Sequence, residues 1–263
     1  MTILQAMLFD VDGTLIDTEE LHRQAFNLTF LELRLGWDWS VNLYAQLLSV
    51  SGGADRIARY IDLIDLPAGE KTRLRRVIPQ IHRMKTKAYG RLIGSSSAKL
   101  RPGVARLIDE GLRKGHRIGL AATSASENVQ TIVSTALGFE AFSAVEAIVC
   151  ADQVSRKKPA PDIYELLLTQ LRTPATSAVA FEDSANGVTA AKTAGLYTVV
   201  TPTCWTKTQS FEDADLVLPS LGDPSDPLEP SVAERIGGSC LGIAELESLM
   251  RSKTPTIPRL REA

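Results

Sequence analysis

The chain has 263 residues, of which 44% are hydrophobic and 23% charged, and its net charge is −2 at pH 7. These values are typical of a soluble globular protein with one large or two modest domains. The near-neutral charge argues against binding to nucleic acid or to an anionic membrane surface, and no apolar run approaches the ~20 residues that span a bilayer.

The three cysteines, Cys150, Cys204 and Cys240, are far apart and odd in number. This usage favours a reducing compartment and structural thiols over a disulfide framework or a zinc site. The first predicted strand begins by residue 6, which leaves no room for a signal or transit peptide. We therefore expect a cytoplasmic location, or a plastid stroma after a transit peptide has been removed.

The first predicted element is a buried strand that runs into two acids, in the stretch AMLFDVDGTL at residues 6–15. Side chains alternate along a strand, so Asp10 and Asp12 can face the same side. Gly13 lets the backbone leave the strand sharply and brings peptide N–H groups close to a ligand. Adjacent carboxylates repel unless a cation or a shared proton compensates. The stretch predicts a metal-assisted site in which one Asp attacks and the other transfers protons, with a plain turn as the alternative.

Residues 17 to about 90 are predicted to be helical, because apolar and basic residues recur there at helical intervals and no strand pattern occurs. Asp17 and Glu20 have the spacing of a capping box at the start of the first helix. Breaks are expected at Gly36, Gly52-Gly53, Pro67 and Gly90. The sequence therefore predicts a helical module inserted directly after the first strand.

The remaining chain alternates strands and helices. Strands are predicted at 117–124, near 147–149, at 178–181 and at 197–200, and helices at 104–115, 129–137, 162–171 and 188–194. This order predicts a mostly parallel sheet that is covered on both faces and binds ligands beyond the carboxyl ends of its strands. The proline-rich tail from about Gly222 has one amphipathic stretch, 241–250. It is predicted to be an appendage over the core with a loose end and to take no part in the chemistry.

Three later stretches place polar groups at predicted strand ends. Thr123 and Ser124 could hold phosphate oxygens or could simply cap a helix. Lys158, in KKPAPD, could neutralise Asp10 and a phosphoryl group, or could belong to a surface basic pair beside a solvated Lys157. Glu182 and Asp183 supply the oxygen ligands that Mg²⁺ prefers, although Asp183 could instead cap the next helix.

Together these four stretches resemble, in order, motifs I to IV of the haloacid dehalogenase-like (HAD) hydrolases. The resemblance implies an α/β fold in which a Rossmann-like, mostly parallel sheet forms the core and a helical cap domain is inserted. It divides the chain into a core (1–16 and 92–225), a cap (17–91) and a C-terminal extension (226–263).

The resemblance also assigns catalytic roles. Asp10 would be the nucleophile that forms an aspartyl-phosphate, and Asp12 would act as general acid and then as general base. Mg²⁺ would bind Asp10, the backbone carbonyl of Asp12 and Asp183, with Glu182 as a neighbouring or alternative ligand. The phosphoryl oxygens would be held by Thr123, Ser124 and Lys158.

Three stretches, 10–27, 51–60 and 81–87, are similar to CbbY-type phosphatases, which remove a phosphate from xylulose-1,5-bisphosphate, a misfire product that inhibits Rubisco. The resemblance implies a small phosphorylated sugar as partner and an indirect link to Rubisco and the Calvin cycle. We also expect a monomer without a nucleic-acid or membrane partner. Substrate contacts are expected from Asp17, His22, Gly52, Gly53, Arg56, His82, Arg83, Lys85 and Asn128.

Two positions depart from this type. Ala54 stands where the pattern after the paired glycines usually has Lys, which removes a cation unless Arg56 or Lys85 compensates. Asp17 replaces a longer Glu of some family members. The basic cap residues could also be solvated surface, and Asp17 could be only a helix cap.

Several functions remain open on this basis. The leading prediction is a Mg²⁺-dependent sugar-bisphosphate phosphatase. The alternatives are a β-phosphoglucomutase-like isomerase, a broad sugar-phosphate phosphatase and, in another class, a phospho-accepting signalling module.

Overall fold

The computed structural model of the chain describes residues 4–95 and 99–253. Its strands are β1 (Ala6–Asp10), β2 (Arg117–Ala122), β3 (Val145–Cys150), β4 (Ala178–Glu182), β5 (Tyr197–Val200) and β6 (Leu216–Val217). Its helices are α1 (Glu19–Glu32), α2 (Val41–Leu47), α3 (Gly53–Leu63), α4 (Ala68–Ser95), α5 (Val104–Arg113), α6 (Ser126–Ser143), α7 (Asp162–Gln170), α8 (Ala185–Thr193), α9 (Pro230–Ile236) and α10 (Ile243–Lys253). Short 3₁₀ turns occur at Ala151–Gln153 and Ala175–Ser177.

The strands form one six-stranded sheet in the order β3-β2-β1-β4-β5-β6, and every pairing is parallel. The predicted α/β class is therefore confirmed. The chain first builds the sheet to one side of β1 and then to the other, so β1 lies where the strand order reverses. Ligands bind at the carboxyl ends of strands beside such a point. Asp10 ends β1 there, opposite Ala121 of β2.

The two faces of the sheet carry separate apolar clusters, as the alternation of side chains requires. Met7 and Phe9 point to one face, while Ala6 and Leu8 point to the other. The Phe9 ring stacks on Phe181 of β4 with ring centroids 4.4 Å apart. Both faces of the sheet are covered at these strands, which explains why their sequences are continuous apolar runs.

Helices α1 to α4 form the predicted helical cap and have an aromatic core of their own. Phe26, Phe30, Trp39 and Tyr44 lie in this core, and Trp205, which follows β5, also packs into it. Helix α4 ends at Ser95, beyond the predicted cap boundary at residue 91, and the division into domains stays a prediction.

Two local predictions in the cap need correction. Gly90 does not break the chain, because it lies inside α4. A Cβ built there would lie 3.1 Å from Asn128 Oδ1 of α6, so the glycine allows close approach of two helices rather than a turn.

The predicted capping box at the start of α1 is also absent. Thr18 occupies the N-cap position, and its side chain makes no capping hydrogen bond, because its hydroxyl donates to Asp12 instead. Glu20 is bound by Arg23 rather than by the N-cap backbone.

The predicted amphipathic stretch of the tail packs on the core. Leu241, Ile243 and Leu246 are buried in the main core cluster, and Arg106 of α5 donates to the carbonyl oxygen of Leu241 at 2.8 Å. Helix α9 was not predicted at all. The predicted loose end falls mostly on residues 254–263, which lie outside the described residues. Among the described residues, no helix is both long enough and apolar enough to cross a membrane.

The packing of α10 predicts a stability effect. Leu246 is fully buried, so Leu246→Ala is expected to lower the free energy of unfolding by about 2–5 kcal/mol through lost burial and a cavity. Urea unfolding followed by circular dichroism measures this difference. Ser248→Ala, at an exposed position of the same helix, is the control and is expected to change stability by less than about 0.5 kcal/mol. Equal small effects would mean that α10 is not part of the cooperative core.

Candidate active site

The site begins where β1 ends. Asp10 is the last residue of the strand, and Gly13 follows with φ +91°, a conformation that favours glycine. A Cβ on Gly13 would lie 2.4 Å from Asp183 Oδ2, so the turn has no room for a side chain. Asp10, Asp12 and Asp183 all line one cavity of about 50 Å³. The structure thus brings together the carboxylates that the sequence singled out.

A buried ammonium group balances two of the carboxylates. Lys158 Nζ lies 2.6 Å from Asp10 Oδ1 and 2.6 Å from Glu182 Oε1. Tyr164 donates its hydroxyl to the same oxygen of Glu182 at 2.5 Å. Burial alone would lower the pKa of Lys158, but the facing carboxylates of Asp10 and Glu182 outweigh it and raise that pKa. Lys158 is therefore charged.

The acids outnumber this cation. Carboxylate oxygens of Asp10, Glu182 and Asp183 lie within 4.8 Å of one another. Burial raises the pKa of Asp10 to about 7, with Lys158 opposing the shift and Glu182 adding to it. Burial and the charge of Asp10 also raise the pKa of Asp183 well above its ordinary value. A divalent cation among these oxygens would relieve the excess negative charge.

The hydrogen bonds show which oxygens remain for such a cation. Asp10 Oδ2 is buried and, among the described residues, has no hydrogen-bond partner. Within the described part of the chain, the one hydrogen bond to the Asp183 carboxylate is long, 3.3 Å from Thr206 Oγ1 to Oδ2. Glu182, in contrast, is fully buried and already holds Lys158 and Tyr164 through Oε1. The donor set suits Mg²⁺, which Asp10 and Asp183 would hold through their free oxygens.

Asp12 enters a different network from Asp10. Its Oδ1 accepts from Thr18 Oγ1 at 2.5 Å and lies 3.1 Å from His22 Nε2, and its Oδ2 accepts from Ser124 Oγ at 2.5 Å. Tyr89 contributes a longer bond of 3.2 Å. Burial raises the pKa of Asp12, but His22 and the hydroxyl donors outweigh it and hold that pKa below its ordinary value. These hydrogen bonds favour the ionised form of Asp12 in this arrangement.

His22 connects Asp12 to the cap. Its Nδ1 lies 2.5 Å from Lys85 Nζ of α4, and its ring stacks on Tyr89 with centroids 3.8 Å apart. Burial, reinforced by the charge of Arg56, lowers the pKa of Lys85 to about 7. Burial and the charge of Lys85 likewise lower the pKa of His22. Two cationic groups this close disfavour each other's charge.

A second cavity of about 60 Å³ lies between core and cap. Of the predicted substrate and phosphate contacts, it is lined by His22, Gly52, Gly53, Arg56, His82, Lys85, Thr123, Ser124 and Asn128. The residues of α4 fall on one face, because His82, Lys85 and Tyr89 are spaced three and four apart.

Two predicted substrate contacts do not reach either cavity. Asp17 precedes α1 and is exposed, and Arg83 is exposed on another face of α4 from His82 and Lys85. Glu19 lines both cavities instead of Asp17. Glu19 lies three residues before His22 on α1, so both fall on one helix face. That spacing is the sequence signal that could have identified Glu19.

Further polar contacts, made by Lys157 and Asn186, hold the cap against the core. Lys157 is not merely solvated: its Nζ lies 2.7 Å from Asp55 Oδ2 of α3, in a half-exposed ion pair. Asn186 Nδ2 donates to the carbonyl oxygen of Ser49 at 2.9 Å and to Ser51 Oγ at 3.2 Å. The cap therefore closes over the strand ends in this structure.

The buried ion pair predicts a pH-dependent loss of stability. Lys158→Met leaves Asp10 and Glu182 without a counter-charge, which is expected to cost about 3–5 kcal/mol at pH 8. The variant raises the pKa of Asp10 above its present value of about 7, so at pH 5.5 the carboxyl takes up a proton and the loss is expected to be smaller. Urea unfolding at both pH values measures the difference.

Lys157→Met is the matched control, because the neighbouring lysine makes only a half-exposed ion pair. It is expected to cost less than about 1 kcal/mol at both pH values. A Lys158→Met loss that is the same at pH 8 and pH 5.5 would contradict this account of the buried charges.

The chain is similar to known proteins in sequence and in fold. Residues 4–195 match the family model of the haloacid dehalogenase-like hydrolases. The protein CbbY encoded on a plasmid of Cupriavidus necator is 42% identical over 229 residues, which are 87% of this chain and 90% of that protein. CbbY of Cereibacter sphaeroides is also 42% identical, over 84% of this chain and 94% of its own length.

Solved structures agree with the sequence matches. CbbY from Rhodobacter sphaeroides in complex with phosphate superposes with a TM-score of 0.75 at 42% identity, covering 82% of this chain and 94% of that one. A mutant of that protein in complex with xylulose-1,5-bisphosphate superposes with a TM-score of 0.76, also at 42% identity, covering 84% and 98%. The resemblance inferred from the four motifs is confirmed. The chain therefore belongs to the haloacid dehalogenase-like hydrolases, among the members that resemble CbbY, and it is a phosphoric monoester hydrolase.

Proposed function

We propose that the protein removes one phosphate from a sugar bisphosphate, with xylulose-1,5-bisphosphate as the leading candidate, in a Mg²⁺-dependent reaction through an aspartyl-phosphate on Asp10. The observation that carries this proposal is the pair of adjoining cavities. One is lined by Asp10, Asp12 and Asp183, and the other by cationic side chains of the cap. The bound xylulose-1,5-bisphosphate in a relative that is 42% identical supports the choice of substrate.

Asp10 is suited to attack phosphorus. Lys158 Nζ is bonded to its Oδ1, and Oδ2 has no hydrogen bond among the described residues, so the carboxylate can contact both a cation and a phosphoryl group. In the first step a carboxylate oxygen of Asp10 bonds to phosphorus and the bond from phosphorus to the sugar oxygen breaks. Lys158, together with Thr123 and Ser124 at the end of β2, would neutralise and hold the phosphoryl oxygens.

Asp12 would supply and then remove the proton. The departing sugar oxygen needs a proton, so Asp12 must be protonated for this first step. An incoming phosphate raises the pKa of Asp12 by like-charge repulsion. If Ser124 turns to the phosphate, Asp12 also loses the 2.5 Å hydrogen bond that stabilises its ionised form. In the second step the ionised Asp12 takes a proton from water, which attacks phosphorus and breaks its bond to Asp10.

Asp10, Asp183 and the backbone carbonyl of Asp12 would hold the metal. Bound Mg²⁺ supplies charge neutralisation at the phosphoryl oxygens. Asp183 is suited to this role, because its carboxylate is buried and repelled by Asp10, which a divalent cation would compensate.

The second phosphate and the sugar would occupy the cavity below the cap. Arg56 and Lys85 offer positive charge there, and Glu19 and Asn128 offer polar groups for hydroxyls. Arg56 compensates for Ala54, which supplies no cation to the loop after the paired glycines. Asp17 and Arg83 are not part of this proposal, because both are exposed away from the cavity.

Substitutions of the two acids separate their roles. Asp10→Asn is expected to abolish phosphate release while leaving the fold intact. Asp12→Asn is expected to lower kcat by about 10²–10⁴-fold, the usual size of general acid–base catalysis. Phosphate release from p-nitrophenyl phosphate measures both, and Asp109→Asn, at an exposed ion pair with Arg113, is the control with expected normal activity. Near-normal activity of Asp10→Asn would overturn the nucleophile assignment.

A substrate comparison tests the proposed reaction. With Mg²⁺ present, inorganic phosphate is expected to be released from xylulose-1,5-bisphosphate with a higher kcat/KM than from pentose monophosphates, and EDTA is expected to abolish the release. Isomerisation of β-glucose 1-phosphate without phosphate release would instead favour a mutase. Similar turnover of many sugar monophosphates would favour a broad phosphatase, and activity that survives EDTA would contradict the metal requirement.

A further inference from the structure

Tyr44 of α2 links two polar groups of the cleft. Its hydroxyl donates to Glu19 Oε2 at 2.8 Å and accepts a hydrogen bond from Arg56 Nη1, also at 2.8 Å. The Arg56 guanidinium carbon lies 5.2 Å from the centre of the Tyr44 ring. Burial raises the pKa of Tyr44 well above its ordinary value, so the phenol keeps the proton that it donates. One buried hydroxyl therefore connects a carboxylate with a guanidinium.

The partners of Tyr44 face the substrate space, whereas Tyr44 does not. Arg56 and Glu19 each line both cavities, and Tyr44 lines neither. The other bonds of Arg56 are weak, because Nη2 makes a 3.4 Å contact to the carbonyl of Val50 and Nε is buried without a hydrogen-bond partner among the described residues. The orientation of the guanidinium therefore depends chiefly on the Tyr44 hydroxyl.

The Tyr44 ring is held by both the cap and the core. Phe26 and Trp39 of the cap pack on it with centroids 6.2 and 6.0 Å away. Trp205 of the core meets it edge to face, at 5.5 Å and 89°. The next residue, Thr206, donates to Asp183 Oδ2 at 3.3 Å. The loop that contacts the acid cluster thus also fixes the Tyr44 ring when the cap is closed.

We infer that Tyr44 is a positioning residue for recognition of the substrate's second phosphate: held between cap and core, its hydroxyl aims the Arg56 guanidinium into the closed cleft. The inference rests on the proposed function, because it requires a substrate with a phosphate beyond the one that reacts. A correctly placed guanidinium binds phosphate through several donors, and its misorientation loses part of that binding. Because Ala54 supplies no cation, the orientation of Arg56 has a larger effect here.

Tyr44→Phe removes the hydroxyl and keeps the ring. Its KM for xylulose-1,5-bisphosphate is expected to rise about tenfold, the size typical for losing a hydrogen bond to a charged group, with kcat within about twofold. Its kinetics with p-nitrophenyl phosphate, which has no second phosphate, are expected to stay unchanged. Tyr60→Phe, in the same aromatic core but outside the Arg56–Tyr44–Glu19 contacts, is the matched control with unchanged KM.

A double-mutant cycle tests whether Tyr44 acts through Arg56. Arg56→Met alone is expected to raise KM for the bisphosphate more than Tyr44→Phe does. Adding Tyr44→Phe to Arg56→Met is expected to cause no further rise, since the group to be positioned is already gone. Fully additive effects would overturn the inference.

The outcomes also separate this inference from the proposed function. A wild-type enzyme with no preference for the bisphosphate over monophosphates would overturn the proposed substrate, and the inference with it. A wild-type preference that Tyr44→Phe retains would overturn the inference alone. Equal loss with both substrates would show a general defect of fold or catalysis and would also count against it.

Discussion

The architecture of the site depends on one buried charge, the ammonium of Lys158 between Asp10 and Glu182. Removing ions from water is costly, and the interior tolerates them only when they are paired and hydrogen-bonded. The arrangement requires β1 and β4 to be neighbours, because Asp10 and Glu182 are the last residues of those strands. The Lys158 ammonium that neutralises the buried carboxylates therefore also holds the carboxylate that is proposed as the nucleophile.

This balance is incomplete without a further cation. One ammonium faces three carboxylates, and burial together with mutual repulsion raises the pKa of both Asp10 and Asp183. Asp10 Oδ2 is a buried polar atom that lacks a hydrogen-bond partner among the residues that the structure describes. In protein interiors such orphaned atoms are rare, and at functional sites a ligand or ion is the usual explanation. The proposed metal and phosphoryl positions follow from this imbalance.

The cap turns this reactive edge of the sheet into an enclosed space. The contacts that join cap and core include the Lys157–Asp55 ion pair, the hydrogen bonds of Asn186, and the edge-to-face rings of Tyr44 and Trp205. Enclosure excludes bulk water and strengthens every charge interaction inside the cleft. Because Trp205 and Thr206 are adjacent, the same loop contacts the cap and the acid cluster. Closure and the arrangement of the charged groups are physically connected through that loop.

The chemistry-bearing motifs could be predicted from the chain alone, because each is local. The strand that ends in Asp10 can be recognised from its own run of apolar residues. Parallel strands then bring their carboxyl ends to one edge of the sheet. The first five strands were predicted on this basis, β6 was not, and the resemblance to a known family singled out the acid cluster and Lys158 as one site. The predicted capping box was absent because a distant carboxylate, Asp12, takes the Thr18 hydroxyl, which local spacing does not reveal.

What the sequence by itself determined is the α/β sheet, the helical insertion and the set of acids and cations available at the strand ends, since these depend on short-range periodicity. The tertiary structure alone decided that Glu19 rather than Asp17 lines the cleft and that Arg83 points away. It also decided that Tyr44 meets Trp205, a residue far away in the chain. The physical reason is that the rotation of a helix about its axis is set by packing against partners that are remote in sequence.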